Sequence, residues 1–196
     1  MKIITSTILA FTLALSAPVS AQDTTTTESA ADATFPVDAA EPVIKPPYVR
    51  EKHGEWSVTC TEIEDAERCK LYHLFVDDKG NSVAELTIEV LPASSQAAAG
   101  VTFVSPLLTL LTAQMSWRVD SAKNRQYPFN WCETSGCFSR FGLTKADVDA
   151  MKKGANATVT VVSIVNPKKP IELTLPLTGF TAAFNSIPAP TPAPVK

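Results

Sequence analysis

The sequence predicts an all-β fold, a sandwich or flattened barrel of antiparallel strands with one short helix and two local disulfides. Three observations lead there. Apolar residues recur with a period of two through most of the central region, and turn residues separate the runs at short intervals. Four cysteines fall as two close pairs, Cys60 with Cys69 and Cys132 with Cys137. Strict alternation is the mark of half-buried strands, and many short strands punctuated by turns mark sheet-on-sheet architectures.

The elements follow in order. Trp56, Val58 and Cys60 alternate with Ser57, Thr59 and Thr61, so one face of this strand is buried. Arg68 to Val76 (RCKLYHLFV) and Val83 to Leu91 (VAELTIEVL) flank Asp77-Asp78-Lys79-Gly80-Asn81, whose turn chemistry and matched flanks predict a hairpin. Val101 to Val104 and Leu107 to Ala113 are apolar runs parted by Ser105-Pro106. Met115 to Asp120 reads as a strand. So does Arg125 to Cys132, with Pro128 favouring an edge or bulge, and then Gly136 to Phe141. Thr158 to Val165 is nearly all β-branched, Asn166-Pro-Lys-Lys-Pro170 breaks it, and Ile171 to Leu177 pairs back as a hairpin. The predicted helix has Thr144 as its cap, Asp147 completing a capping box and Gly154 at its end. Leu143, Ala146, Val148 and Met151 supply its apolar stripe.

The ends of the chain read differently. Lys2, an apolar core from Ile3 to Leu15 and the small residues Val19-Ser20-Ala21 compose an export signal over residues 1–21. That core is too short and too rich in hydroxyls for a bilayer-spanning helix, and no later run is long and apolar enough to supply a stable membrane span. Residues 22–50 are threonine-, alanine- and proline-rich and read as a flexible tether. One globular domain is expected over residues 51–187, and residues 188–196 form a proline-rich tail. Seventeen Lys and Arg stand against 20 Asp and Glu, for a net charge of −3, and no basic block interleaved with aromatics occurs. That balance excludes a nucleic-acid partner. The basic doublets Lys152-Lys153 and Lys168-Lys169 read as solvated turns.

Export places the cysteines in an oxidising compartment, where an even, clustered set reads as disulfides. Four cysteines allow three connectivities, and local closure, Cys60–Cys69 and Cys132–Cys137, is the simplest. Zinc is the rival reading. Its ligands usually arrive as C-x2-4-C pairs, so the C-x4-C pair sits at the edge of that pattern and the C-x8-C pair outside it. Neither pair has the C-x-x-C form of a redox-active site. No metal and no cofactor is implied.

No catalytic constellation stands out. His53 and His73 are the two imidazoles, and neither has a nucleophile and carboxylate in its sequence context; no G-x-S-x-G motif occurs. His73 falls on the strand face shared with Cys69, Leu71 and Phe75, where packing explains it better than proton transfer. Asp77-Asp78 and Glu64-Asp65 are too closely spaced for a calcium cage and read as turn acids. The densest aromatic set is Trp117, Tyr127, Phe129, Trp131, Phe138 and Phe141, flanked by Arg118, Arg125 and Arg140. Core packing accounts for most of these rings. Because aromatics and arginine also carry binding hot spots, Trp117, Arg118, Arg125 and Arg140 are the candidate partner contact.

Several landmarks occur together and in order. Trp56-Ser-Val-Thr-Cys60 opens the domain and Cys69 closes its first bridge. Cys132-Glu-Thr-Ser-Gly136-Cys137 follows, then the helix with Met151-Lys-Lys-Gly154. Leu173-Thr-Leu-Pro-Leu-Thr-Gly179-Phe180-Thr-Ala-Ala183 ends it. In these features the chain resembles the invasion-associated locus B family of exported bacterial proteins, from about Gly54 to Phe184. Members tend to place a Pro-x-Gly step before the central strands, where this chain has Ser105-Pro106-Leu107-Leu108. The resemblance implies a periplasmic, secreted or surface-associated β-sandwich, and some members are linked to entry into host cells. It supplies no catalytic residues. It therefore implies a non-enzymatic factor whose partner is an envelope or host-cell protein. The alternative expectation is a periplasmic small-ligand binder, or an enzyme, with a pocket between the sheets.

Overall fold

The computed structural model describes residues 44–63 and 66–190; the expected export signal, most of the expected tether and residues 191–196 lie outside the described residues. Among the described residues, eleven strands form two antiparallel sheets. The larger has the order β1 (Tyr48–His53), β2 (Trp56–Ile63), β3 (Ala66–Val76), β4 (Ser82–Val90), β5 (Ala99–Ser105), β9 (Gly136–Leu143) and β8 (Trp131–Glu133). The smaller has the order β11 (Ile171–Pro176), β10 (Asn156–Val161), β6 (Met115–Val119) and β7 (Arg125–Tyr127). Both sheets end in free edges, so the fold is an open sandwich rather than a closed barrel.

The alternation read from the sequence decides which faces meet. Trp56, Val58 and Cys60 of β2, Leu71 and Phe75 of β3, and Ala84, Leu86 and Ile88 of β4 are all buried. They join Met115 and Trp117 of β6, Val159 of β10 and Leu175 of β11 in one cluster. Burial of such side chains contributes roughly 1.5–3 kcal/mol each, the dominant favourable term in the fold. Both disulfides form locally, Cys60–Cys69 and Cys132–Cys137. Each joins residues directly opposite one another, across β2–β3 and β8–β9.

The helix α1 (Lys145–Lys153) has the expected capping box. Asp147 N–H donates to Thr144 Oγ1 at 3.2 Å, and Thr144 N–H donates to Asp147 Oδ2 at 2.9 Å. Val148 and Met151 bury its apolar face. The β3–β4 hairpin forms as expected. In its turn the Asp77 carboxylate accepts the backbone N–H groups of Lys79 and Asn81 and the Asn81 side-chain amide.

Four expectations are corrected. The tether expected through residue 50 gives way earlier: Tyr48, Val49 and Arg50 already belong to β1, so the domain begins before Glu51. Sparse apolar content hid this edge strand, because polar groups rather than burial hold it. Arg50 donates to Glu67 at 3.0 Å and to the Ser186 carbonyl at 2.9 Å, and Tyr48 bonds Glu67. The single strand expected over Arg125 to Cys132 is two, β7 and β8, lying in different sheets. Proline 128 has no N–H for a ladder, and its carbonyl instead accepts Ser139 Oγ at 2.8 Å while Asn130 N–H donates to the Phe138 carbonyl at 2.7 Å. The chain switches sheets across this step.

The run expected as a strand from Thr158 to Val165 ends at Val161, leaving Ile164 and Val165 exposed. A second helix, α2 (Phe180–Ser186), joins the one expected. Its signal was the helical spacing of Phe180, Ala183 and Phe184, masked by its shortness and the lack of a capping side chain. It starts from Gly179 at φ +88°, where an added Cβ would lie 2.1 Å from the His53 carbonyl oxygen. Only glycine fits there. Phe180 then packs on Trp56 with ring centroids 5.2 Å apart. Between the sheets, side chains from both fill the centre in one cluster, and space opens at its margin, where Leu143 of β9 faces β6 and β7.

Candidate binding groove

The β6–β7 hairpin and α1 lie on either side of a groove of about 540 Å³. Its strand side carries Trp117, Arg118, Val119, Arg125 and Tyr127, and the connection between these strands adds Ala122, Lys123 and Asn124. Its helix side carries Ala146, Asp147 and Ala150, with Leu143 just before α1. The two alanines stand four apart on one helix face and are short enough to leave space over Trp117.

The aromatic side is held rigidly. Tyr127 stacks on Phe141 with centroids 3.7 Å apart and rings 12° from parallel, and Trp117 meets Phe141 edge-on at 6.0 Å. Three cations, Arg118, Lys123 and Arg125, face one carboxylate, Asp147. Arg125 Nη1 lies 2.7 Å from Asp147 Oδ1, tying β7 to the first turn of α1. Burial pushes the Asp147 carboxyl upward, but the Thr144 hydrogen bonds and Arg125 outweigh it and hold it below the usual range. Arg118 has Glu172 3.9 Å away on β11. The net character of the groove is therefore cationic over an aromatic floor. No serine, cysteine or histidine lines it.

Of the residues singled out from the sequence, Arg118 and Arg125 come together in this groove, and Trp117 lies at its base as a core ring only 4% exposed. Arg140 does not: it is exposed on β9, next to Phe138, and its N–H donates to Asn130 Oδ1 at 2.7 Å. Trp131 stacks on Phe138 at 4.8 Å and remains 40% exposed, so it is a surface ring and not a core one. Sequence reasoning missed Lys123 and Asp147 as groove residues. Ala146 and Ala150 carried a faint signal as small residues four apart, but nothing in the sequence placed α1 beside β6.

The other candidates sit elsewhere. His73 is buried against Trp56 and Phe75, and His53 pairs with Glu51 at 2.8 Å. Cys60 and Cys69 lie near Glu67, but their sulfurs are bonded to each other and offer no thiolate to zinc. Among the turn acids, Asp77 is committed to its turn and held below the usual carboxylate range by Asn81, while Glu64 and Asp65 lie outside the described residues.

Fold and staples together define a small disulfide-bonded β-sandwich protein. Residues 56–188 match the family model described as Invasion associated locus B (IalB) protein, and the chain belongs to that family. The invasion protein B homologs of Brucella abortus strains 2308 and biovar 1 strain 9-941 are each 26% identical over 145 residues, covering 72% of this chain and 80% of theirs. The crystal structure of invasion associated protein B from Bartonella henselae superposes with a TM-score of 0.60. It is 24% identical and covers 69% of this chain and 92% of that one, a likeness of fold.

Proposed function

We propose that this protein is an exported, non-enzymatic envelope or host-cell interaction factor that binds its partner through the groove between β6–β7 and α1. One observation carries the reading: a rigid aromatic floor rimmed by Arg118, Lys123 and Arg125, with its only carboxylate already committed to a helix cap and an ion pair. Such a site has anchors for an acidic, partly apolar segment and no nucleophile–base pair with which to turn it over. The relatives' names, invasion protein B homolog and invasion associated protein b, support a contact role in the family. The groove's volume also falls in the range of small-molecule sites, roughly 300–1,000 Å³, and its cations suit an anionic ligand equally.

The test is capture by the immobilised mature protein from envelope extract and from host-cell membranes. Arg118→Ala and Lys123→Ala should each weaken capture about five- to thirtyfold, the effect of 1–2 kcal/mol at a desolvated anchor. Arg140→Ala, outside the groove, should bind normally, and all three should melt like the unaltered protein. Normal capture by both groove variants rules the groove out. Capture lost on dialysis of the extract and restored by its small-molecule fraction assigns the site to a small anionic ligand instead.

A further inference from the structure

At the end of the smaller sheet, two connections are knitted into one unit. The first follows β5, and the second joins β10 to β11. Leu110 N–H donates to the Val162 carbonyl at 2.7 Å, Ile164 N–H to the Leu108 carbonyl at 2.8 Å, and Thr109 bridges Ser163. Thr109 Oγ1 also donates to the Pro106 carbonyl at 2.8 Å, bracing the turn from inside.

This braced unit presents apolar side chains to solvent. Leu107 is 52% exposed, Leu108 59%, Ile164 51% and Val165 75%, with Leu111 beside them at 41%. Leu108 holds φ at +69°, a conformation that disfavours any residue but glycine or asparagine. A leucine kept there, outward and strained, is costly to retain without a use.

Acids flank this end. Glu172 stands just past the second connection with its carboxylate 3.9 Å from Arg118, and Glu133 is on the β8–β9 hairpin, whose Gly136 abuts the Ser105 carbonyl. The two connections themselves carry charge of one sign. From Val101 to Trp117 the sequence has no charged residue, and from Asn156 to Ile171 its only charges are Lys168 and Lys169, both exposed. Prolines 167 and 170 flank that doublet, and Lys169 N–H closes a turn onto the Asn166 carbonyl at 3.1 Å.

We infer that this loop pair is a membrane-docking tip, which inserts Leu107, Leu108, Ile164 and Val165 shallowly into an anionic lipid bilayer while Lys168 and Lys169 meet its headgroups. A handful of apolar side chains on two loops is far short of the 20–30 residues per side of a stable protein interface. It is enough for reversible interfacial binding, which grows with each buried methylene and each basic residue near anionic lipid. Two lysines without an intervening acid match a negative surface.

Flotation of the mature protein with vesicles tests this. With phosphatidylcholine plus phosphatidylglycerol the protein should float with the lipid, and with phosphatidylcholine alone it should mostly stay behind. Leu108→Asn combined with Val165→Ser should lower partitioning at least tenfold with an unchanged melting temperature, since asparagine tolerates the positive φ. Lys168→Ala with Lys169→Ala should lower it about thirtyfold on anionic vesicles, about fivefold for each lysine, and leave the weak binding to neutral vesicles as it was. No flotation on anionic vesicles overturns the inference, as do variants that float like the unaltered protein. A dimer that Leu108→Asn with Val165→Ser dissolves would assign the patch to a second copy of the chain. None of these outcomes depends on the groove, which lies among other residues.

Discussion

His73 is buried where β3 crosses under Trp56, with ring centroids 5.6 Å from Trp56 and 4.7 Å from Phe75. Its Nδ1 faces the Glu55 carbonyl at 3.2 Å, which favours the tautomer that carries a proton there. Burial disfavours the imidazolium and lowers the folded-state pKa below the ordinary 6.5, against a smaller opposing effect of the Glu55 carbonyl. The unfolded chain therefore binds more protons than the folded one below about pH 6.5. Stability contributed by this residue is complete at neutral pH and falls as the pH drops through 6.5 toward the lower folded value. Urea midpoints should thus decline between pH 7.5 and 5.5. His73→Gln should lose about 1–2 kcal/mol at pH 7.5 but show a flatter decline over the same range. Parallel declines in the two proteins would place the titrating group elsewhere.

Among the elements, β1 shows how an edge strand can be built from polar anchors. Its pairing with β2 runs from Tyr48 opposite Cys60 to His53 opposite Trp56, with one irregularity at Arg50. Arg50 links it to Glu67 on β3 and to the end of α2 through the Ser186 carbonyl. Farther out, Lys45 pairs with Glu62 and Ile44 bridges Ile63. A chain beginning at Glu51 loses half of β1 and every Arg50 contact, and should melt roughly 5–10 °C below one beginning at Ile44, the shift expected for about 2 kcal/mol in a domain of this size. Equal melting temperatures would show that the N-terminal half of β1 adds nothing to stability.

For the whole molecule, the two sheets share one core and each disulfide fastens one hairpin of the larger sheet. The closed loops are short, with sequence separations of 9 and 5, so the chain-entropy model assigns each bridge about 2–3 kcal/mol. Cys60 and Cys137 are buried, whereas Cys132 is exposed. Peptide mapping without reductant should recover the two local pairs. Replacing Cys60 and Cys69 together by alanine should lower the denaturation midpoint by that 2–3 kcal/mol, and replacing Cys132 and Cys137 by a similar amount. A loss below about 0.5 kcal/mol in either double variant would show that the hairpin closes as readily without its bridge.

The sequence by itself determined the class of fold, the buried faces of β2, β3 and β4, the β3–β4 turn and the capped helix, and it made local pairing the simplest connectivity of the cysteines. These are local properties: alternation, capping and turn chemistry act over a few residues, and thiols close in sequence meet across a hairpin with the least loop to close. It also pointed to Trp117, Arg118 and Arg125. Tertiary structure alone decided that α1 lies against the β6–β7 hairpin, so that two alanines, Lys123 and Asp147 complete a groove around those residues while Arg140 is left on the outer surface of another sheet. It likewise decided that Pro128 carries the chain between sheets and that the loops around Leu108 and Ile164 meet. Such contacts join residues far apart in sequence, and only the packing of two sheets against one core brings them together.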